Sequence, residues 1–336
     1  MAVSTPTIAA RPSLPGRAAL WRLALAGALV VALLVLLPGT GEVRELLAGA
    51  SPAWLALALV FELGSCLAFV VAFRAVMAPH LHWRSATRIG LAMQGANVLV
   101  PAGGASGLAV SAWALRRGGM DTERISRRSV SLFVATSAVN FVAALAAGLA
   151  LAAGAAQADI PLAATLGPAF AALGAIAAVA LLPVLARRLG GDAGSGRGRL
   201  GRFVAQARSS VVGGVGDVGG FVRARRVDVA AGAAGYMVFD LLALAAVFAA
   251  VGAPPPAAAL VLGYAVGQLG GLIPAPGGVG GTDGALVGAL VLYGAPIGLA
   301  AAAVIGYRAL QLGLPAILGS AAAAGLPRTV AGMARV

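Results

Sequence analysis

The sequence predicts an all-α membrane protein: a polytopic helix bundle of about six full spans plus two oppositely oriented re-entrant helical hairpins. Three observations lead there. Of 336 residues, 60% are hydrophobic and 10% charged, against about 25% charged in an ordinary soluble domain. Several uncharged runs exceed the roughly 20 residues that an α-helix needs to cross a bilayer. The 24 basic residues, all arginine, lie almost entirely between those runs. In that distribution a net charge of +13 reads as orientation signals and contacts to anionic lipid, not as a nucleic-acid footprint. The lone cysteine, Cys66, sits in an apolar run, so the sequence offers no internal disulfide.

Runs at 18–37, 53–73, 129–153, 162–186, 229–252 and 297–320 are long enough to cross. Two others, 89–115 and 257–293, are interrupted by Pro and Gly. The positive-inside rule orders them. Arg11, Arg17 and Arg22 place the N-terminal tail, 1–17, in the cytoplasm. The loop with Glu42, Arg44 and Glu45 then lies outside, and Arg74, Arg84 and Arg88 bring the chain back in. The uncharged stretch 89–115 ends at Arg116, Arg117, Arg124, Arg127 and Arg128. A single crossing there would put those arginines outside. Two crossings would leave legs of about 12 residues, roughly 18 Å of helix, against a hydrocarbon core of about 30 Å. The remaining solution is a hairpin that enters and leaves on the cytoplasmic face, with its tip at Pro101, Ala102, Gly103 and Gly104.

Spans 129–153 and 162–186 go out and back through a link containing Gln157 and Asp159. The arginine-rich segment 187–228 is cytoplasmic. Within it Phe203, Ala207, Val211, Val215, Val218 and Val222 recur at helical spacing, as in an amphipathic helix on the inner leaflet. The glycines Gly213, Gly214, Gly216, Gly219 and Gly220 fit a flexible loop equally well. The tail 324–336, with Arg328 and Arg335, belongs inside, so the half-length pieces near 258–273 and 282–293 form a second hairpin that enters from outside. Its tip holds Pro274, Pro276, Gly277, Gly278 and Gly280. All arginines except Arg44 and Arg308 then fall on one side.

This gives one integral membrane domain, 18–323, with repeat halves of inverted topology at 53–153 and 229–320. Internal similarity supports it: Phe61-Glu62-Leu63 matches Phe239-Asp240-Leu241. Gln94 followed by Pro101 to Gly104 corresponds to Gln268 followed by Pro274 to Gly278. Broken helices at membrane depth are tolerated only where protein or a wet cavity satisfies their backbone, and paired broken segments form the substrate site in many transporters.

The polar residues inside the apolar runs are the candidate substrate pathway: Glu62, Gln94, Asn97, Asp240, Gln268, Asp283 and Arg308. An ionisable group at the centre of a membrane helix costs about 2.5–3.5 kcal/mol on insertion scales. Such groups therefore face protein or water, either as a path for substrate and protons or as structural ion pairs. Asp283, just past the second tip, also fits the role of a helix cap. His80 and His82 have no acids or cysteines beside them, so no metal site is expected. The Gly run 277–281 lacks the strand and the Gly-Lys-Ser/Thr ending of a nucleotide loop. No catalytic residue, cofactor or enzymatic activity is expected.

The stretches "NVLVPAGG" (97–104), "LRRGG" (115–119) and "LIPAPGGVGGTDGALVGAL" (272–290) together resemble the lysylphosphatidylglycerol synthase transmembrane-region family of flippase-like proteins. The specific matches are Pro274, Pro276, Gly277, Gly278, Val279, Gly280, Asp283 and Arg308, and the similarity covers roughly 20–325. The resemblance implies an integral membrane fold with re-entrant helices. In the best-known members this region translocates aminoacylated phospholipid between leaflets. Two departures stand out. Asp283 occupies a position that is usually Glu, and no aminoacyl-transferase domain follows residue 325. The expected function is flippase-like translocation of a phospholipid or lipid-linked substrate in a bacterial cytoplasmic membrane, with both termini cytoplasmic. Membrane lipids, held at the arginine clusters, are the expected partners. The alternatives are a secondary transporter of a small soluble solute and a non-transporting partner of an envelope lipid enzyme.

Overall fold

Eleven helices and no strand make up the residues described by a computed structural model of the chain, 41–100, 104–155, 160–188, 199–269 and 281–333. In chain order they are α1 (Gly41–Ala48), α2 (Pro52–Met77), α3 (Trp83–Leu99), α4 (Ala105–Arg117), α5 (Thr122–Ala152) and α6 (Leu162–Arg188). There follow α7 (Arg199–Arg223), α8 (Val227–Val251), α9 (Ala257–Leu269), α10 (Gly281–Leu292) and α11 (Ile297–Met333). The run 18–37, the tip residues Pro101, Gly103, Pro274, Pro276, Gly277, Gly278 and Gly280, and the link with Gln157 and Asp159 lie outside the described residues.

Five helices, α2, α5, α6, α8 and α11, are long and apolar enough to cross a membrane. They are the five expected spans within the described residues, and the molecule is a polytopic helix bundle. Its outside is apolar: Val60, Phe133, Leu162, Phe170 and Ile317 are all more than 60% exposed. Two residues after Val60, Glu62 is 3% exposed. This is the polarity of a protein dissolved in lipid, with apolar side chains outward and charge inward.

The helix ends follow from local sequence. Pro52 opens α2, where its missing N–H removes nothing. Asp121 caps α5, its carboxylate accepting from the backbone N–H of Glu123 at 2.9 Å and of Arg124 at 3.3 Å. Arginines finish α2: Arg128 donates to Val76 O at 2.7 Å and Arg226 to Ala75 O at 3.3 Å. Arg74 reaches forward to Leu81 O at 2.9 Å. The arginine clusters thus satisfy carbonyls at the end of a span, besides carrying the charge bias. The closing helix α11 runs to Met333 rather than ending near 320. The Ala-rich stretch 321–324 favours continuation of the helix, and Pro327 does not end it.

Between the long helices lie two pairs of short ones. With 17, 13, 13 and 12 residues, α3, α4, α9 and α10 measure about 18–26 Å at 1.5 Å per residue, less than a hydrocarbon core of about 30 Å. Gly104 begins α4 at φ +83°, a conformation that glycine adopts without strain. The legs of the first pair are tied by Asn97 Oδ1, which accepts from Gly107 N at 2.8 Å, and by Ser106 Oγ, which donates to Ala96 O at 2.9 Å. In the second pair Gly263 lies against Leu290 and Gly267 against Leu286, so α9 and α10 run antiparallel in close contact.

Small residues let the helix axes approach, as at many membrane interfaces. Gly232 meets the backbone of Ala72 where α8 crosses α2, and Ser65 Oγ donates to Tyr236 O at 3.1 Å beside it. Gly95 and Gly319 bring α3 and α11 into backbone contact. The basic segment forms a helix, α7, held to α5 by an ion pair of Arg127 with Asp217. Its Gly213 and Gly214 pack on Arg127 and Val130. Those two glycines are contact positions, so they favour docking of the helix rather than breaking it.

A Cβ on Gly319 would lie 2.5 Å from Gly95 Cα. Gly319→Val should therefore destabilise the protein by about 1–3 kcal/mol or more through overpacking, seen as a lower Tm in detergent. Gly174→Ala, where a Cβ meets nothing within 4 Å, is the control. It should leave Tm unchanged or raise it, since Ala is favoured over Gly in a helix by about 1 kcal/mol.

Candidate functional site

Asp240 sits midway along the most apolar stretch of α8 and is 4% exposed. Its carboxylate is held by three side chains from two other helices. Tyr264 of α9 donates its hydroxyl to Oδ2 at 2.5 Å. Tyr307 of α11 donates to Oδ1 at 2.8 Å. Gln311, one turn further along α11, donates through Nε2 to Oδ2 at 3.1 Å and to Oδ1 at 3.3 Å. From α2, the Glu62 carboxyl lies against Asp240. Two neighbouring carboxyl groups can hydrogen-bond to each other only with a proton on one of them, because an ionised carboxylate only accepts.

The network continues through Gln311. Its Oε1 accepts from Arg308 Nη1, while its Nε2 serves Asp240. Arg308 Nε lies 2.5 Å from Asp283 Oδ1 on α10. The path Glu62–Asp240–Gln311–Arg308–Asp283 therefore joins α2, α8, α11 and α10, with α9 attached through Tyr264. Exposure rises along it: Glu62 and Asp240 are closed off, whereas the side chains of Arg308 and Asp283 are 13% and 27% exposed.

The sequence candidates sort as follows. Glu62, Asp240, Asp283 and Arg308 come together. Gln268 lies at one remove from them, beside Tyr264 and one turn further along α9. Gln94 lies nearby but serves α2, donating to Cys66 O at 3.2 Å, one turn past Glu62. Asn97 binds the first short pair together. Asp283 is not the N-cap of α10: it lies within the first turn and faces Arg308. Gly104 adopts its expected turn conformation. Among the described residues no cluster of His, Cys, Asp and Glu is arranged to hold a metal.

Tyr264, Tyr307 and Gln311 are members of this network that sequence reading passed over. A signal for them exists. Tyr307 and Gln311 are four apart and share a helix face beside Arg308, and Tyr264 precedes Gln268 by four.

Removing the central acceptor should destabilise the bundle in a graded way. Asp240→Ala leaves two hydroxyls and an amide without their acceptor, and each unmet buried group costs about 1–3 kcal/mol. Asp240→Asn retains an acceptor oxygen. The expected order of Tm in detergent is wild type, then Asp240→Asn, then Asp240→Ala.

A family model described as "Lysylphosphatidylglycerol synthase TM region" matches residues 21–319, a range that contains the whole network. No curated protein matches the chain.

Proposed function

Because the chain belongs to the lysylphosphatidylglycerol synthase transmembrane-region family, we propose that it translocates a phospholipid or lipid-linked substrate between leaflets in the manner of a flippase, without chemical transformation. The observation that carries this reading is the polar path from Glu62 to Asp283, built across apolar helices and opening at its Arg308 end. A polar headgroup needs such a path, while its acyl chains stay in lipid. Arg308 supplies what a phosphodiester needs: a planar, permanently charged donor. The acids balance an amine when the headgroup carries one.

An inverted repeat fits the same picture. The order long, short, short, long occurs as α2–α5 and again as α8–α11. Glu62 touches Asp240, and the rings of Phe61 and Phe239 stand 6.4 Å apart. These are corresponding positions of the two halves, and a two-fold axis brings corresponding residues face to face. The remaining packing is reciprocal: α3 leans on α11, and α9 leans on α5. In this scheme the short pairs re-enter from opposite faces of a bacterial cytoplasmic membrane, and both termini lie on the arginine-rich side. There α7 rests on anionic lipid, with Val211 and Val222 exposed.

The test is reconstitution into liposomes containing fluorescent lipid, read by quenching of label in the outer leaflet. Wild type should exchange label faster than empty vesicles. Arg308→Ala should slow exchange about tenfold or more, in line with loss of a charge-assisted hydrogen bond of roughly 1.5–3 kcal/mol. No acceleration with any headgroup would sink the proposal. Topology has its own measurement, in a Cys66→Ala background. Cysteines at Pro79 and Gly118 should label from the same side and one at Gly252 from the other; opposite labelling of Pro79 and Gly118 would rule out re-entry.

A further inference from the structure

A path for a headgroup leaves its innermost part unexplained. Glu62 and Asp240 are 3% and 4% exposed. Among the described residues no ion pair joins either to an arginine, since Arg308 pairs with Asp283 instead. Glu62 Oε2 is buried with no hydrogen-bond partner. We propose that Glu62 and Asp240 form a proton-binding site whose occupancy is linked, through Gln311 and Arg308, to binding of a phosphate group, so that the two are taken up together. The site stands on its own geometry; what its linkage drives rests on the translocation reading above.

The surroundings define the charge balance. On α2, Cys66 lies one turn from Glu62, and on α8, Tyr236 lies one turn before Asp240. From α9 comes Tyr264, and from α11 come Tyr307, Arg308 and Gln311. Across Arg308 lies Asp283 of α10. The neighbouring α3 contributes the neutral Gln94, and α5 contributes Val139 and Ala143, its charged residues all lying near Thr122. Arg308 is therefore the one cation in this set, against three carboxyl groups. Two carboxylates in contact repel when both are ionised, so such a pair holds a proton between them. Asp240 accepts from three donors, as a carboxylate does. Glu62, buried beside that carboxylate with Oε2 unpartnered, can hydrogen-bond to it only as a carboxylic acid.

The linkage runs through one amide. Gln311 accepts from Arg308 at one end and donates to Asp240 at the other. A phosphate bound by Arg308 competes with Asp283 and Gln311 for the guanidinium and offsets the positive charge nearest Asp240. Holding the proton on the carboxyl pair then becomes more favourable. Linkage is reciprocal, so protonation strengthens phosphate binding by the same factor. Phosphate affinity should rise as pH falls, and proton and phosphate should move in the same direction.

The experiment adds short-chain phosphatidylglycerol, or inorganic phosphate, to the purified protein in weakly buffered detergent with a pH-indicator dye. Wild type should take up protons on binding, with affinity severalfold higher at mildly acidic than at mildly alkaline pH. Glu62→Gln should bind without uptake and with a flat pH dependence. Infrared difference spectra of the wild type, which need no variant to fold, should show a protonated carboxyl at neutral pH that responds to phosphate. Uptake with the lipid alone assigns the ligand as a headgroup, and uptake with both assigns a phosphate group in general; each supports the linkage. Binding without uptake, absence of binding by both phosphates, or absence of the carboxyl signal would overturn it. The two readings fail separately. Proton uptake without lipid exchange in vesicles leaves this site and removes the flippase; exchange unaffected by a pH gradient, with no uptake, does the reverse.

Discussion

The burial of one carboxylate, Asp240, is the constraint on which the surrounding structure depends. In hydrocarbon an unmet charge costs several kcal/mol, and no water is at hand to meet it. Asp240 is met by Tyr264, Tyr307 and Gln311 and lies against Glu62. Those contacts fix the rotation of α8 relative to α2, α9 and α11. A helix with apolar residues all round has no polar stripe to set its orientation in lipid. Here the buried acid sets it.

Tight packing lets that constraint act. Hydrogen bonds of 2.5–3.3 Å from two helices to a third require the helix axes to be close and their positions fixed. Glycine and alanine provide the closeness: Gly232 on Ala72, Gly95 on Gly319, Gly267 on Leu286. In lipid, association of helices rests on such packing and on polar contacts, because the hydrophobic effect no longer separates helix from solvent. The Ala- and Gly-rich composition is therefore what permits the short paired helices to pack closely on each other and on α11.

Much of this was legible in the sequence. The five described spans fall where the apolar runs lie, because crossing length and charge exclusion are local demands on composition. The short helices of 83–117 and 257–292 were legible from Pro and Gly in otherwise apolar runs. Glu62, Asp240, Asp283 and Arg308 stood out because an ionisable residue is rare at membrane depth. Other features were hidden. Whether α7 would be helix or loop turned on whether Gly213 and Gly214 had a neighbour to pack on, which a one-dimensional pattern does not contain. Tyr264, Tyr307 and Gln311 were passed over because Tyr and Gln are common enough in membrane helices to serve many purposes.

The sequence by itself determined the class of the protein, the places where its chain crosses apolar surroundings, and the residues that lipid would not tolerate. Those are properties of a segment and its solvent. Only the tertiary structure decided how the intolerable residues are reconciled. It pairs Asp283 with Arg308 rather than using it as a cap, assigns Gln94 to α2 and Asn97 to holding the first short pair, and sets Glu62 against Asp240. These choices depend on which helix faces approach one another. Residues separated by 71 positions, as Asp240 and Gln311 are, meet only after the helices between them have packed.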